Sequence, residues 1–361
     1  MNIIDSVQEL QGKKVLVRVD FDVPVGADNM IQEEYRIERQ RATIQYLLDR
    51  GARVLMIAHI SAVQSFEPIL NQIQKILQVP VEFCRSAEDI ERFWAEGGSI
   101  ALLENLRSNP GEEDNSESFA RSLAVGCDLF VYNAFAVCHR EHASVATVPL
   151  MVPSYGGLLM REETEQLQRV VDAPASGKVV YMGGAKASTK VPVVKHMLTR
   201  AERVVIGGVL ANDIMQELGQ DIGNSQVDED AHELLEGLDI HDARIMLPID
   251  AVVAEGQNLD IGIETSKIFA DAARGASLIV WNGPMGRFED SRFMAGTKAV
   301  ARAIAESGAM TVIGGGDTIS AVHSLGLLQK FSFISTGGGA MLAFLAGMQL
   351  PGLKALGYYH D

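Results

Sequence analysis

Short apolar runs alternate with amphipathic, helix-like segments along most of the chain. The β-branched run at 15–25 is closed by Pro24 and predicts a strand followed by a turn. The segment 36–52 then has apolar positions at helical spacing and is closed by Gly51. The same rhythm predicts further strands at 53–61, 81–84, 99–107 and 128–137, and further helices at 66–78 and 116–125.

The second half repeats this alternation after a helical segment at about 155–172, which Pro174 ends. Strands alternating with helices favour parallel sheets that are covered on both faces. The predicted fold class is therefore α/β, with two Rossmann-like three-layer lobes of parallel sheet joined by a hinge helix. The pattern predicts strands at 178–184 and 203–211 and an acidic helical stretch at 226–236. The segments 243–254 and 259–262 lead into a predicted helix around 264–274.

The length of 361 residues is enough for two domains. No Gly/Ser-rich linker separates the two halves, so we predict a rigid connecting helix with hinges at its ends. A surface helix within a single domain remains the alternative. The predicted bounds are an N-terminal lobe at 1–155, the connecting helix at 156–173, a C-terminal lobe at 174–345 and a tail at 346–361.

The charge of the chain narrows the classes of partner. There are 31 Lys and Arg against 47 Asp and Glu, a net charge of −16, which disfavours nucleic acid and anionic membranes as partners. No apolar run approaches the ~18 residues of a transmembrane helix. Cys84, Cys127 and Cys138 lack metal-ligand spacing and suit a reducing cytosol. We expect a cytoplasmic protein that binds small molecules.

Three apolar runs near the C-terminus end in glycine-rich turns. They are 279-IVWNGPMGRFEDSRFMAGT-297, 311-TVIGGGDTIS-320 and 331-FSFISTGGGAMLAFL-345. Such turns place backbone N–H groups at helix N-termini, where phosphate binds well. We expect Gly286 to leave room for a ligand close to the backbone, and Glu289 to be a lone carboxylate at the lip of the site.

Charged side chains follow several predicted strands in both halves. Lys186 and Lys190 follow two glycines at a strand end, and a helix would place both ammonium groups on one face. Each isolated residue is more simply explained as a solvated side chain, and only their convergence on one sheet edge favours a functional site. In the first half these residues are Asp20, Asp22, Arg36, His59, Arg107, His139, Arg140 and His142.

The motifs WNGPMGRFE, GGGDT and STGGGA, in this order, resemble those of the phosphoglycerate kinase family, and the similarity covers nearly the whole chain. The resemblance implies a two-lobed kinase that moves a phosphoryl group between ATP/ADP and the carboxylate of 3-phosphoglycerate, with Mg²⁺. It implies that the N-lobe holds the glycerate, that the C-lobe holds the nucleotide, and that the lobes close about the hinge helix. It also implies that the tail packs on the N-lobe and that the protein is a monomer.

On the nucleotide side, the resemblance assigns Lys186 and Lys190 to the phosphates and Glu289 to the ribose hydroxyls. It assigns Asp317 and Thr318 to Mg²⁺ and the phosphates. Val209 and Gln226 depart from the family pattern and leave base selectivity open. The remaining residues that the resemblance implies are Gly183, Gly207 and Gly208 around the adenosine, Asn282, Pro284 and Gly316, and the helix start at Gly337, Gly338 and Gly339.

On the acceptor side, the match is partial. Asp22 places a carboxylate where the family motif VRVDFNVP has an amide, and Ala62 stands where SHLGRP has a phosphate-binding arginine. Losing that arginine should cost roughly 1.5–3 kcal/mol of binding free energy, and the Asp22 charge at ~4 Å adds about 1 kcal/mol of repulsion in water. This chain has YNAFAV where the family motif has NDAFGT, so Asn133, Ala136 and Val137 are departures from the family pattern. The resemblance assigns catalysis to Arg36 and acceptor binding to Asp20, Asp22, His59, Arg107, His139 and Arg140.

The proposed chemistry needs no general base, because a carboxylate is already ionised at pH 7. It needs groups that position two anions in line and offset the transferring charge. Arg36, Lys190, Asp317 with Mg²⁺, and the Gly338 helix start are such a set. The alternatives are a paralogue that phosphorylates a different carboxylic acid and a non-catalytic nucleotide-binding homologue. A dinucleotide-dependent dehydrogenase is disfavoured, because no GxGxxG motif opens a βα unit with a suitably placed acid.

Overall fold

The computed structural model describes residues 1–359 and divides into two compact units. Unit 1 comprises Met1–Thr164 together with the C-terminal segment that begins at Gln349. Unit 2 comprises Glu165–Met348. The division between residues 164 and 165 falls inside the helix that the sequence predicted as a separate connecting segment.

The strands are short and mostly buried, as expected for sheets that are covered on both faces. They span β1 Lys14–Arg18, β2 Arg53–Ile57, β3 Glu82–Cys84, β4 Ile100–Leu103, β5 Leu129–Tyr132, β6 Ser154–Gly156, β7 Lys178–Met182, β8 Arg203–Ile206, β9 Ile245–Met246, β10 Ala251–Ala254, β11 Gln257–Ile261, β12 Leu278–Asn282, β13 Met310–Gly314 and β14 Phe333–Ser335.

The α-helices mostly follow the strands, as the alternating pattern predicted. They span α1 Tyr35–Glu38, α2 Arg41–Asp49, α3 Leu70–Leu77, α4 Ala87–Glu96, α5 Glu117–Ala124, α6 Leu158–Asp172, α7 Val191–Leu198, α8 Gly208–Glu217, α9 Ala231–Leu235, α10 Ile263–Ala273, α11 Ala295–Glu306, α12 Gly316–Ser324, α13 Gly338–Leu345 and α14 Pro351–Ala355. Within residues 1–359, none of the helices is long and apolar enough to cross a bilayer.

Each unit is built on one six-stranded parallel sheet. The strand order is β3-β4-β2-β1-β5-β6 in unit 1 and β14-β13-β12-β7-β8-β9 in unit 2. In unit 1, Leu16 pairs with Leu55 on one side and with Phe130 on the other. In unit 2, Trp281 pairs with Tyr181 and Ile313 and is fully buried. The predicted α/β class with parallel sheets in two bodies is confirmed.

Several predicted elements are wrong in detail. The helix over 36–52 is two helices, because Gln40 N–H turns back to Ile37 C=O (3.0 Å) and interrupts the helical bonding. The strand over 203–211 ends at Ile206, and Gly208 (φ +62°) opens α8. Ile37, Ile44 and Leu47 keep helical spacing across the first break, and residues 204–211 are apolar across the second, so the hydrophobic pattern marks neither break.

A two-stranded antiparallel hairpin, β10–β11, interrupts the parallel pattern of unit 2. The apolar segment 243–254, for which no element type was predicted, holds β9 and β10 with a loop between them. The helices α4 and α11 and the edge strand β6 were not predicted. A three-residue strand such as β6 has too few positions to show a period of two.

Candidate functional site

The sequence-predicted side chains of unit 1 gather at the carboxyl ends of its strands. Asp20 and Asp22 follow β1, His59 follows β2, and Arg107 lies in a 3-10 turn after β4. Because the strands are parallel, these ends meet at one edge of the sheet, where ligands bind in such folds. We call the following residues the unit 1 cluster: Asp20, Asp22, Arg36, His59, Arg107, His139 and Arg140.

Arg36 is held at this edge by backbone and carboxylate oxygens. Its Nη1 donates to the Asp22 carbonyl (2.8 Å) and lies 3.8 Å from Asp20 Oδ2. The Arg36 side chain is 27% exposed, whereas the Asp20 side chain is 1% exposed. Asp20 therefore lies beneath Arg36 and orients it, and the solvent-facing group is the guanidinium.

His59 lies between a buried arginine and the Asp22 carboxylate. Arg18 Nη2 lies 3.1 Å from His59 Nδ1, and a guanidinium can only donate, so the ring proton sits on Nε2. That nitrogen lies 3.2 Å from Asp22 Oδ2, although not in line for a hydrogen bond. Burial lowers the pKa of His59, and Asp22 opposes this only in part. The ring is therefore neutral at pH 7.

Asp22 is the least expected member of the unit 1 cluster, because it adds negative charge among arginines. Its Oδ1 accepts from Ser61 N–H (2.8 Å). Burial tends to raise the pKa of Asp22, but the nearby His59 ring and the bond from Ser61 N–H outweigh it and hold the pKa well below the usual range. The carboxylate is therefore ionised at neutral pH.

Two further arginines lie near Asp22. Arg107 Nη1 donates to Ser61 Oγ (2.7 Å), and its Nε lies 3.3 Å from Glu113 Oε1. Burial and then the charge of Arg107 lower the pKa of Arg140. Arg107 thus already has one partner, Ser61, in the loop that contains Ala62.

The histidines after β5 are half-buried and neutral at pH 7. Burial lowers the pKa of His139, and the charge of Arg140 lowers it further. Burial also lowers the pKa of His142, whose Nδ1 lies 3.9 Å from Glu112 Oε1. Positive charge in the unit 1 cluster therefore comes from arginine.

A buried polar chain behind the cluster was missed by sequence reasoning. Arg18 Nε donates to Ser144 Oγ (2.8 Å), and Ser144 Oγ donates to Glu112 Oε1 (2.6 Å). All three residues are fully buried. The available signal was Arg18, a charged residue in the middle of the apolar run 15–19.

Unit 2 carries a cavity of about 440 Å³. Loops after β7, β8, β12 and β13 line it, together with the β10–β11 hairpin. Val209 and Gln226, the two departures noted above, line it as well. Of the predicted nucleotide-side residues, Gly208, Pro284, Glu289 and Asp317 line the cavity, whereas Gly183, Lys186, Lys190, Gly207, Asn282, Gly316, Thr318, Gly337, Gly338 and Gly339 do not.

The glycines beside this cavity let three loops pack backbone against backbone. A Cβ on Gly183 would lie 2.2 Å from the Pro284 carbonyl oxygen, and one on Gly283 would lie 2.0 Å from the Gly183 oxygen. A Cβ on Gly208 would lie 2.4 Å from the Gly184 oxygen. A side chain at any of these positions would force the loops apart.

Gly286 lines the unit 2 cavity and also packs closely against a neighbouring side chain. The space that its missing Cβ leaves is filled by the Asp260 carboxylate, 2.3 Å from where a Cβ would lie. Asp260, which sequence reasoning missed, accepts from Gly296 N–H (2.8 Å) and caps the start of α11. Burial raises its pKa to about 6. Gly286 is needed for this packing.

Asn282 and Thr318 tie the strand ends to one another. Asn282 Nδ2 donates to the Gly314 carbonyl (2.8 Å), and Gly283 N–H donates to Thr318 Oγ1 (2.6 Å). Both side chains are buried. They hold the loops after β12 and β13 in register.

The two lysines do not share a helix face, and that prediction is wrong. Lys186 is exposed in the loop after β7, and α7 begins only at Val191. Lys190 is 6% exposed, and its Nζ donates to the Lys186 carbonyl (3.0 Å). Burial lowers the pKa of Lys190 to about 8, and the Asp317 carboxylate partly opposes this.

Two helix starts lie at the ends of β13 and β14. Asp317 is in the first turn of α12, and Gly338 begins α13. Gly337 N–H donates to Ser335 Oγ (3.2 Å), so it is engaged within the loop. The N–H groups of Gly338 and Gly339 belong to the first turn of α13, which has no intrahelical acceptor for them. This turn can accept an anion.

The described residues contain no cluster of three or more His, Cys, Asp or Glu that could hold a resident metal ion. Asp317 is a single carboxylate at the wall of the unit 2 cavity. Mg²⁺ in kinases is held by one or two carboxylates together with the substrate phosphates. The residues present therefore fit a metal that arrives with a nucleotide.

Comparisons with known proteins agree on one family. A family model described as phosphoglycerate kinase matches residues 4–348. The chain is 39% identical to a phosphoglycerate kinase of Desulfosudis oleivorans and 40% identical to one of Moorella thermoacetica, in each case over 96% of this chain and 97% of the relative. The structure of phosphoglycerate kinase from Pyrococcus horikoshii matches with a TM-score of 0.87 at 30% identity, over 99% of this chain and 98% of the other. That from Coxiella burnetii matches with a TM-score of 0.82 at 31% identity, over 98% of each chain.

Proposed function

Because the chain belongs to the phosphoglycerate kinase family, we propose that it catalyses reversible phosphoryl transfer between ATP/ADP and the carboxylate of 3-phosphoglycerate. The unit 1 cluster binds the acceptor, and the unit 2 cavity binds the nucleotide. Transfer is in line after lobe closure, as the family resemblance implied.

The environment of Lys190 carries this proposal. Its ammonium is buried and forms no ion pair with a carboxylate among residues 1–359. A buried cation without a counter-ion is unfavourable, and a bound phosphate would supply the missing charge. Asp317 lies at the cavity wall, where it would hold Mg²⁺ on the nucleotide phosphates.

The proposed phosphoryl transfer needs positioned positive charge and no acid or base from the protein. The acceptor carboxylate attacks the terminal phosphorus, the bond from that phosphorus to the bridging oxygen breaks, and ADP leaves. Arg36, Lys190 and the Gly338 helix start offset the charge that spreads over the transferring oxygens. None of these groups has to remove a proton, because the acceptor carboxylate is already ionised at pH 7.

A second acceptor class is favoured by Asp22. Its ionised carboxylate, bonded to Ser61 N–H, occupies the edge of the unit 1 cluster. Together with Ala62, it disfavours a dianionic phosphate and favours a carboxylic acid of lower charge. We propose Asp22 as the residue that decides between the two classes.

The test is Mg²⁺-ATP consumption with 3-phosphoglycerate and with unphosphorylated hydroxy acids, trapping acyl phosphate with hydroxylamine. Arg36→Ala is expected to abolish transfer and to leave ADP affinity unchanged. Arg85→Ala, at an exposed ion pair with Glu67 in the same unit, is the matched control. Full turnover in Arg36→Ala would contradict the proposed role.

The choice of acceptor separates the candidate functions. Turnover with 3-phosphoglycerate supports the first, and turnover only with unphosphorylated acids supports the second. Nucleotide binding without turnover on any carboxylate would leave a non-catalytic homologue. A cytoplasmic, monomeric enzyme that uses Mg²⁺ completes the proposal, with base selectivity decided at Val209 and Gln226.

A further inference from the structure

A chain of buried side-chain amides links the backbone of Arg36 to the first turn of α6. Gln40 Nε2 donates to the Arg36 carbonyl (3.2 Å), and Asn133 Nδ2 donates to Gln40 Oε1 (2.8 Å). At the other end, Leu159 N–H donates to Asn133 Oδ1 (3.2 Å). Gln40 and Asn133 are both 0% exposed. All of these residues belong to unit 1.

The direction of every bond in this chain is forced. Leu159 N–H can only donate, so the atom of Asn133 that it meets is the oxygen. Thr43 Oγ1 accepts from Leu158 N–H (3.0 Å) and must therefore donate to the same oxygen (2.8 Å). The Asn133 amide nitrogen is left facing Gln40, which fixes the Gln40 oxygen there. The Gln40 nitrogen then faces the Arg36 carbonyl.

This last bond replaces one that the backbone does not make. In a continuous helix, Gln40 N–H would donate to Arg36 C=O, but here it donates to Ile37 C=O (3.0 Å) where α1 ends. The Gln40 side chain caps the freed carbonyl instead. A helix of four residues is not stable by itself, so its position depends on such tertiary bonds.

We infer that Asn133 and Gln40 are positioning residues for Arg36. They act through the backbone of α1, and neither side chain is solvent-exposed, so neither contacts a substrate. The inference rests on the proposed function, in which the Arg36 guanidinium meets the transferring phosphoryl group. The anchor of the chain is the α6 first turn, whose N–H groups have no intrahelical acceptors.

The packing around Asn133 leaves it no second position. A Cβ on Gly157 would lie 2.0 Å from Asn133 Oδ1, so only glycine fits before α6. Gly157 N–H in turn donates to the Tyr132 carbonyl (2.8 Å) at the end of β5. Asn133 is therefore fixed relative to the end of β5, and its bond to Gln40 fixes the Gln40 side chain and, through it, the Arg36 carbonyl.

The test compares Gln40→Met, Asn133→Asp and the wild type. Gln40→Met keeps the length of the side chain and removes the bonds to both Arg36 and Asn133. Asn133→Asp keeps the oxygen that faces α6 and replaces the donor that faces Gln40 with an acceptor. Each is expected to lower kcat about 10- to 100-fold, since a shift of ~1 Å in a positioned group costs this order of magnitude. The ADP Kd is expected to stay within about twofold, because Arg36 is not proposed to bind the nucleotide in the ground state.

Ile90→Ala, which leaves a cavity under α4 and away from α1, is the control for lost stability. It is expected to lower Tm and to keep kcat. If Gln40→Met keeps kcat within about threefold, or if Ile90→Ala loses as much kcat as Gln40→Met, the positioning role is wrong. If the wild type turns over no 3-phosphoglycerate, the proposed function is wrong, and the positioning role must be tested without turnover. The test is then the NMR resonance of Arg36 Nε–Hε. This resonance shifts in Gln40→Met and in Asn133→Asp if the two amides position Arg36, and an unchanged resonance overturns the inference.

Discussion

Lys190 is expected to make nucleotide affinity depend on pH above neutrality. Burial lowers the pKa of its ammonium to about 8, so the free protein loses this charge in an accessible pH range. A phosphate oxygen pairs with the protonated form only. Because the folded pKa lies below its ordinary value, the proton is lost as pH rises through about 8, and nucleotide affinity falls in the same range.

The magnitude follows from simple linkage. If only protonated Lys190 binds, the observed Kd rises in proportion to 1 + 10 raised to the power (pH − 8). Between pH 7 and pH 9 this is about a tenfold loss of affinity, or about 1.4 kcal/mol. Salt does not imitate this effect, because a buried charge is screened much less than an exposed one.

The assay is calorimetric titration of ADP between pH 6.5 and 9.5 at constant ionic strength. Lys190→Arg stays protonated throughout this range and is expected to bind with a flat profile. Lys190→Met is expected to bind weakly at every pH. Lys330→Met is the control, because Lys330 is an exposed lysine of the same unit with no assigned role in the site, and this variant should keep the wild-type pH dependence. A wild-type Kd that stays constant to pH 9, or a Lys190→Arg profile parallel to the wild type, would refute the reasoning.

Two further predictions concern stability. Asp260 has a folded pKa of about 6 against an ordinary 3.8, so the unfolding free energy should fall by roughly 3 kcal/mol as pH rises through this interval. Asp260→Asn should remove that slope in urea titrations from pH 4 to 7, and parallel profiles would exclude the assignment. Gly352→Ala would place a Cβ 2.4 Å from Tyr132 Cε1 and should destabilise unit 1 by ~1–3 kcal/mol. The exposed Lys354→Ala is its control, and equal urea midpoints would contradict the clash.

The fold was predictable where hydrophobic runs were long and separated by turn residues. Strands β1, β2, β7 and β12 begin within one residue of predicted apolar runs, because a strand buried on both faces is mostly apolar. The same property hid the start of α8, where residues 204–211 continue across Gly208 without a polar residue. The hairpin β10–β11 was missed although its turn is local, since only Glu255 and Gly256 join the two strands, with φ values of 54° and 74°.

Lys190 shows why a site residue can be chosen for an incorrect reason. A spacing of four residues placed it on a shared helix face with Lys186, but the helix begins one residue after Lys190. What makes Lys190 chemically unusual is its burial beside the Lys186 carbonyl, which no local pattern encodes. Gly286 is similar, since the group that requires glycine there is Asp260, 26 positions earlier in the chain.

The role of a substituted residue near the unit 1 cluster can also depend on partners that are distant in sequence, as Asn133 shows. In the sequence, Asn133 is one of several departures from the family motif NDAFGT, and no local pattern shows its partners. In the fold its amide nitrogen meets Gln40, 93 residues away, and its oxygen meets α6. A carboxylate at this position could not donate to Gln40, so an amide at 133 and an amide at 40 form a matched pair. Arg36 therefore depends on a pairing that neither residue reveals alone, and the two should be altered together in any attempt to change the acceptor site.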